Sequence, residues 1–230
     1  MTDFQIYSEL YSRLGIKDTV YLAFRDIPEL INKHVSGRKT LDFGCGAGRS
    51  ARFLKELGME VNGVDSSIEM ITQAKKIDDS ISYEHISNNY FTQHSETYDL
   101  VFSSFVFFET SSLDLMLEIF QLIHKTLKND GIFILITGSM EMYSHNWLSL
   151  DANYPENKNP TSGSLVKIKL KNVDLELDDY FWTDDDYKIT AAKAGFSLLE
   201  MHNPIGTKHD GYKWKSEEIV SPYSIYVFKK

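Results

Sequence analysis

Three glycines at alternate positions, Gly44, Gly46 and Gly48, stand in residues 41–49, which read LDFGCGAGR. They follow a β-type run and precede an amphipathic run that starts near Ser50, so the pattern is strand, tight turn, helix. Glycine carries no Cβ, so such a turn can take positive φ and a ligand can lie directly on the backbone, facing the amides of the helix start. A carboxylate, Asp42, precedes the loop. A second one, Asp65, ends the run MEVNGVD about twenty residues further on, where a ribose diol is held in nucleotide-binding layouts.

Two cofactor classes use this layout, and spacing separates them. A dinucleotide fingerprint needs a third glycine where this chain has Arg49, because helix and strand pack closely at that point. With Asp42 and the G-x-G-x-G run, the segment instead resembles the first motif of the class I S-adenosylmethionine-dependent methyltransferases, and the resemblance covers roughly residues 21–138. It implies S-adenosylmethionine as cofactor and S-adenosylhomocysteine as product. It also implies that Asp42 orders the loop beside the cofactor's ammonium group, that Gly44, Cys45, Gly46 and Arg49 lie along the cofactor, and that Asp65 and Ser66 meet the ribose with Met70 against the adenine. Many members carry an aspartate for the adenine amino group where this chain has Ser87 and Asn88, either of which could accept the same hydrogen bond. Ser103, ending the fourth strand motif YDLVFSS, is expected to face the cofactor.

The elements that must position these residues can be read in order. Residues 4–14 show helical spacing, and a second helix runs from an Asp18 cap to Val35 with a kink or a break near Ile27 imposed by Pro28. Tyr21 and Arg25 share a face of it, and Arg25 is suited to a bidentate grip on the cofactor's carboxylate; the plainer reading is a solvated arginine beside a core tyrosine. Helices are expected over 50–57, 66–76 and 113–127, with strands over 81–86, 98–104 and 128–137. Beyond Gly138 comes an aromatic stretch, a loop over 151–163 rich in Asn, Pro and Ser, and a β-hairpin around Lys171 and Asn172. Thr183 with Asp184, Asp185 and Asp186 reads as a helix cap rather than a metal site, and two last strands cover 196–203 and 223–228.

The expectation is an α/β, Rossmann-like fold with a seven-stranded, mostly parallel sheet, helices on both faces and an inserted β-hairpin lid. It would form one domain over 1–230, with residues 1–37 as a helical cap and 139–182 as a substrate-side insertion. Loops beyond the strands' carboxyl ends must then meet the acceptor, and they are aromatic. Phe108, Tyr143, Trp147, Trp182 and Trp214 are the candidate substrate contacts. Should the acceptor have to lose a proton, His145 is the first candidate base, then His209, then Glu109; each also reads as an ordinary surface group.

The chain has 230 residues with a formal charge of −9, which argues against duplex nucleic acid and anionic membrane surfaces. A single cysteine, Cys45, can make no internal disulfide, no zinc-type spacing is present, and residues 1–10 lack a signal pattern, so a cytoplasmic protein without a metal is expected. Cys45 itself is read as a small packed residue rather than a nucleophile. The expected activity is methyl transfer to nitrogen or oxygen of a small molecule by in-line displacement. Two alternatives stay open: a cofactor-binding module without catalysis, acting as a partner subunit, and a nicotinamide oxidoreductase. Oligomeric state is left open.

Overall fold

A computed structural model of the protein describes residues 3–87 and 89–230, with the side chains of residues 3–7 left aside. The main sheet has seven strands in the order β3-β2-β1-β4-β5-β10-β9. These are β1 (Lys39–Phe43), β2 (Glu60–Asp65), β3 (Ser82–His85), β4 (Tyr98–Ser104), β5 (Leu127–Gly138), β9 (Ser197–His202) and β10 (Tyr223–Lys229). The first five run parallel, and β10 lies antiparallel between β5 and β9. The chain lays down β1, β2 and β3 outward in one direction and then returns to place β4 on the other side of β1. That reversal opens a crevice above the carboxyl ends of β1 and β4.

Alternation along the central strands decides which helix covers which face. Leu100 and Phe102 of β4, Ile132, Ile134 and Ile136 of β5, and Ile225 and Val227 of β10 share one core with Leu22, Phe24 and Ile27. These last come from α2 (Thr19–Arg25) and α3 (Ile27–His34). Val101, Phe133, Leu135, Tyr226 and Phe228 point the other way, onto Phe120 and Ile123 of α7 (Leu113–Thr126) and Tyr187 of α8 (Asp184–Lys193). Each such buried side chain stabilises the fold by roughly 1.5–3 kcal/mol.

The remaining helices are α1 (Asp3–Ser12), α4 (Arg49–Glu56), α5 (Ile68–Ile77) and the short α6 (Tyr90–Gln93). The expected kink or break near Ile27 is a break: α2 ends at Arg25 and α3 begins at Ile27, with Asp26 between them and Pro28 in the first turn of α3. Asp18 precedes α2 without capping it: its φ is 54° and its carboxylate accepts from Asn172 Nδ2 at 3.1 Å. Thr183 and Asp186 form the reciprocal capping box expected for α8.

The expected hairpin is present as β7 (Leu165–Leu170) and β8 (Leu175–Tyr180), and a short third strand, β6 (Leu150–Asp151), adds to its edge. Val166 and Ile168 of this second sheet, with Trp147 and Phe181, belong to the core that also holds α2 and α3. The hairpin is therefore laid across the main body, above the crevice.

Candidate active site

Between the carboxyl ends of the strands and the second sheet lies a cavity of about 1110 Å³. Small-molecule sites run to ~300–1,000 Å³, so this one has room for two ligands rather than one. One half is built by the glycine loop. Gly44, Gly46 and Gly48 have φ of 71°, 52° and 81°, a conformation that costs other residues ~1–2 kcal/mol each. A Cβ built on Gly46 would meet nothing within 4 Å, so the loop is open to the cavity at that point.

Asp65 stands opposite. Its Oδ2 accepts from Gly46 N at 2.8 Å and its Oδ1 from Ser67 N at 2.8 Å, which ties the end of β2 to the glycine loop. Each carboxylate oxygen can accept a second hydrogen bond, and Asp65, Ser66 and Met70 are all on the wall. The Ser67 hydroxyl caps α5 by accepting from Met70 N at 3.2 Å. Beneath the loop, Asp42 is fully buried, with Ser50 donating to its Oδ2 at 2.7 Å and no partner for Oδ1 among the described residues. It pins the end of β1 to the start of α4, which shapes the turn between them.

Burial pushes the Asp42 carboxyl up to about 7, against the Ser50 hydrogen bond. Unfolded aspartate titrates near ~3.9. Between these values the folded protein keeps a proton that the unfolded chain has released. This contribution to stability is complete below about pH 4 and lost as the pH rises through about 7. Asp179, raised to about 7 mainly by burial, has the same sign. Asp42→Asn is therefore expected to flatten the decline in urea midpoint between about pH 5 and about pH 8 in cofactor-free protein; parallel declines in the two proteins would contradict it.

Arg49 begins α4 and reaches into the cavity. Its guanidinium lies 5.4 Å from the Phe105 ring centroid and 5.7 Å from that of Phe24, and no carboxylate pairs with it among the described residues. Burial lowers its pKa from the ordinary arginine value. Phe105 has a φ of 66° at the end of β4, a strained setting for an aromatic residue, and its ring stacks against Phe108 at 6.1 Å. Cys45 packs in the wall with its thiol pKa raised by burial, so no thiolate forms there.

Several sequence expectations are corrected by the geometry. Arg25 is already held: Asp26 takes its Nε at 2.7 Å and Nη2 at 2.8 Å, and Nη1 donates to the Ile205 carbonyl at 2.9 Å and Asp210 at 3.3 Å. It is absent from the cavity wall, as is Tyr21, which packs on Tyr212. Ser103 points into the sheet's buried side, and by alternation it is Ser104 that lines the cavity. Ser87 is exposed and off the wall, and Asn88 lies outside the described residues.

His145 is off the wall as well, on the outer side of Trp147, with Glu141 Oε2 3.3 Å from its Nδ1. His209 is exposed in a short turn of 3₁₀ helix. Of the expected substrate contacts, Phe108 lines the cavity. Trp147 and Trp182 are core residues whose indoles donate to the carbonyls of Met142 and Thr110, and Trp214 stacks on Tyr212 away from the site. Tyr143 sits one layer back: it is buried and donates to Asp179 Oδ2 at 2.7 Å.

Asp179 was not among the sequence candidates. It occupies an inward position of β8, in step with Leu175 and Leu177, and lines the cavity while only 4% exposed. A carboxylate at an inward position of an otherwise alternating strand was the available signal. Glu109 also lines the cavity, and burial, with Asp65 adding repulsion, raises its pKa.

Comparison with known proteins agrees with this geometry. Residues 40–131 match a family model described as a methyltransferase domain, spanning β1 to the start of β5 and including both Asp42 and Asp65. This match places a methyltransferase domain at residues 40–131. A curated relative, a malonyl-[acyl-carrier protein] O-methyltransferase of Hamiltonella defensa, is 27% identical over 114 residues, 48% of this chain and 43% of that protein. The chain thus matches less than half the length of that relative.

In three dimensions the chain resembles an S-adenosylmethionine-dependent methyltransferase from Mesorhizobium loti, with a TM-score of 0.63 and 18% identity over 90% of this chain and 98% of the other. A structure of similar description from Listeria monocytogenes gives 0.63 and 21% identity, again over 90% and 98%. At these identities the likeness carries the fold. The descriptions of both structures state S-adenosylmethionine as their cofactor. The residues present fit it: an open glycine loop, a carboxylate with acceptor capacity to spare, and an arginine without a carboxylate partner among the described residues.

Among the described residues, no helix is long and apolar enough to cross a membrane, and no cluster of His, Cys, Asp and Glu is arranged to hold a metal ion.

Proposed function

We propose that this methyltransferase moves a methyl group from S-adenosylmethionine to nitrogen or oxygen of a small-molecule acceptor. The observation that carries the reading is the single cavity with two unlike halves, the glycine loop with Asp65 on one side and apolar residues with carboxylates on the other. When bound, the cofactor supplies an electrophilic methyl carbon on a positive sulfonium. Gly44 and Gly46 would bring the backbone close to it, Asp65 would accept from the ribose hydroxyls, and Met70 would lie along the adenine. Arg49 takes the role first considered for Arg25, pairing with the amino-acid carboxylate, because its guanidinium faces the cavity and Arg25's does not.

Residues 139–182 read as a substrate-side insertion. Ile168, Leu170 and Leu177 cover the acceptor half, and such cover excludes water from an in-line displacement. Where the acceptor must lose a proton, Asp179 and Glu109 are the carboxylates placed to take it. His145 and His209 are not. The acidic chain supports a small molecule over nucleic acid, and the absence of a disulfide pair supports a cytoplasmic setting.

The test is an incubation of purified protein with S-adenosylmethionine and a panel of amines, phenols, heterocycles and carboxylic acids, read by mass spectrometry. Formation of S-adenosylhomocysteine together with an acceptor heavier by one methylene is the expected result. Tight binding of S-adenosylhomocysteine with no turnover of any acceptor would favour the non-catalytic binding module instead.

A further inference from the structure

The acceptor half of the cavity is unevenly charged. Asp179, on β8, is buried at its wall, and Tyr143 donates to one of its oxygens from behind at 2.7 Å. Glu109, on the segment after β4, lines the same wall with no hydrogen-bond or ion-pair partner among the described residues. The cationic residues of the wall, Arg49 and Arg52, both belong to α4 beside the glycine loop, and Arg52 donates to the Ala47 carbonyl at 2.9 Å. Among the described residues, no lysine or histidine lines the cavity. A third carboxylate, Asp178, also lines the wall, 3.6 Å from Lys167 Nζ, and Phe108, Leu115, Ile119 and Leu177 form the wall's apolar part.

Removing a carboxylate from water is costly unless a cation or several donors meet it. Tyr143 supplies one hydrogen bond to Asp179, and no cation pairs with it among the described residues. An incoming ligand carrying a positive or N–H group would complete the site, whereas a carboxylate or phosphate would add repulsion to a desolvated negative charge.

We propose that the acceptor is an amine on an apolar body, its nitrogen recognised by Asp179 with Glu109 beside it. The inference rests on the methyltransferase reading of the same cavity and narrows it to nitrogen. It also sets this protein apart from its curated relative, whose name states a malonyl-[acyl-carrier protein] acceptor.

The experiment is calorimetry in two steps. S-adenosylhomocysteine is titrated first, and failure to bind would defeat the methyltransferase reading itself. Benzylamine, benzyl alcohol and benzoate are then titrated separately into the saturated protein as probes that share an apolar ring and differ in the polar end. Benzylamine is expected to bind at least about tenfold more tightly than the other two, a difference of about 1.4 kcal/mol. Asp179→Asn, which keeps an acceptor for Tyr143, should remove that preference while leaving S-adenosylhomocysteine affinity unchanged. Should that variant fold poorly, Glu109→Gln, at an exposed position on the wall, is expected to weaken benzylamine several-fold with the same control. The proposal is overturned if benzylamine does not bind the saturated wild type, if benzoate or benzyl alcohol binds as tightly, or if the folded variants bind benzylamine as the wild type does.

Discussion

Replacing Asp65 by alanine is expected to weaken S-adenosylhomocysteine binding by about 100-fold or more, with the fold retained. The carboxylate is a strong acceptor, and hydrogen bonds to charged groups contribute ~1.5–3 kcal/mol each. Loss of two such bonds from the ribose hydroxyls is about 3 kcal/mol, and every ~1.4 kcal/mol is tenfold. A second effect adds to the first. Gly46 N and Ser67 N both donate to this carboxylate, so its removal releases the glycine loop from β2 and leaves two amides at the cavity without their acceptor. Calorimetry of the two proteins measures the ratio directly. Equal affinity would place the ribose elsewhere in the cavity.

The second large effect separates fold from binding within the same loop. A Cβ on Gly44 would lie 2.2 Å from Val106 Cγ2, at a φ of 71°. Gly44→Ala therefore combines left-handed strain of ~1–2 kcal/mol with overpacking of ~1–3 kcal/mol. At ~2–4 °C per kcal/mol for a chain of this size, the unfolding midpoint should fall by roughly 10 °C. At Gly46 the φ is 52° and nothing lies within 4 Å of the added carbon. Gly46→Ala should thus cost only the backbone strain, roughly 3 °C, while its methyl stands where a ligand must lie and reduces affinity more than tenfold. Thermal scans with and without S-adenosylhomocysteine distinguish the pair. A Gly46→Ala protein whose midpoint rises with ligand as much as the wild type's would show that the ligand does not approach the loop there.

The cofactor half of the site was legible in the sequence because its parts are local. Gly44, Gly46 and Gly48 follow a strand and precede a helix without a break, and Asp65 ends the next strand. Positive φ at the three glycines and the Asp65 hydrogen bonds to Gly46 and Ser67 are consequences of that short segment. The same holds for the Thr183 capping box, whose partners are three residues apart. Alternation in β7 and β8 likewise foretold a hairpin with one apolar face.

The acceptor half was less legible because long-range contacts build it. Arg25 matched a carboxylate grip by residue type, yet it is captured by Asp210 and the Ile205 carbonyl, more than 170 positions away. Asp18 matched a helix cap, but its carboxylate is met by Asn172. Trp147 and Trp182 are aromatic as a substrate pocket would need, and packing turned them into the core instead. His145 lies outside the wall, beside Glu141, while Trp147 is buried in the core.

By itself, then, the sequence determined a Rossmann-like sheet, a glycine turn at the end of its first strand and a carboxylate at the end of its second, since strand alternation, turn chemistry and helix capping act between near neighbours. Only the tertiary structure decided that Arg49 rather than Arg25 lines the cavity, that Ser104 rather than Ser103 does, and that Asp179 and Glu109 are on its wall. Those choices depend on how β8, the segment after β4 and the start of α4 are brought together across the sheet, a matter of packing between distant segments that no local period records.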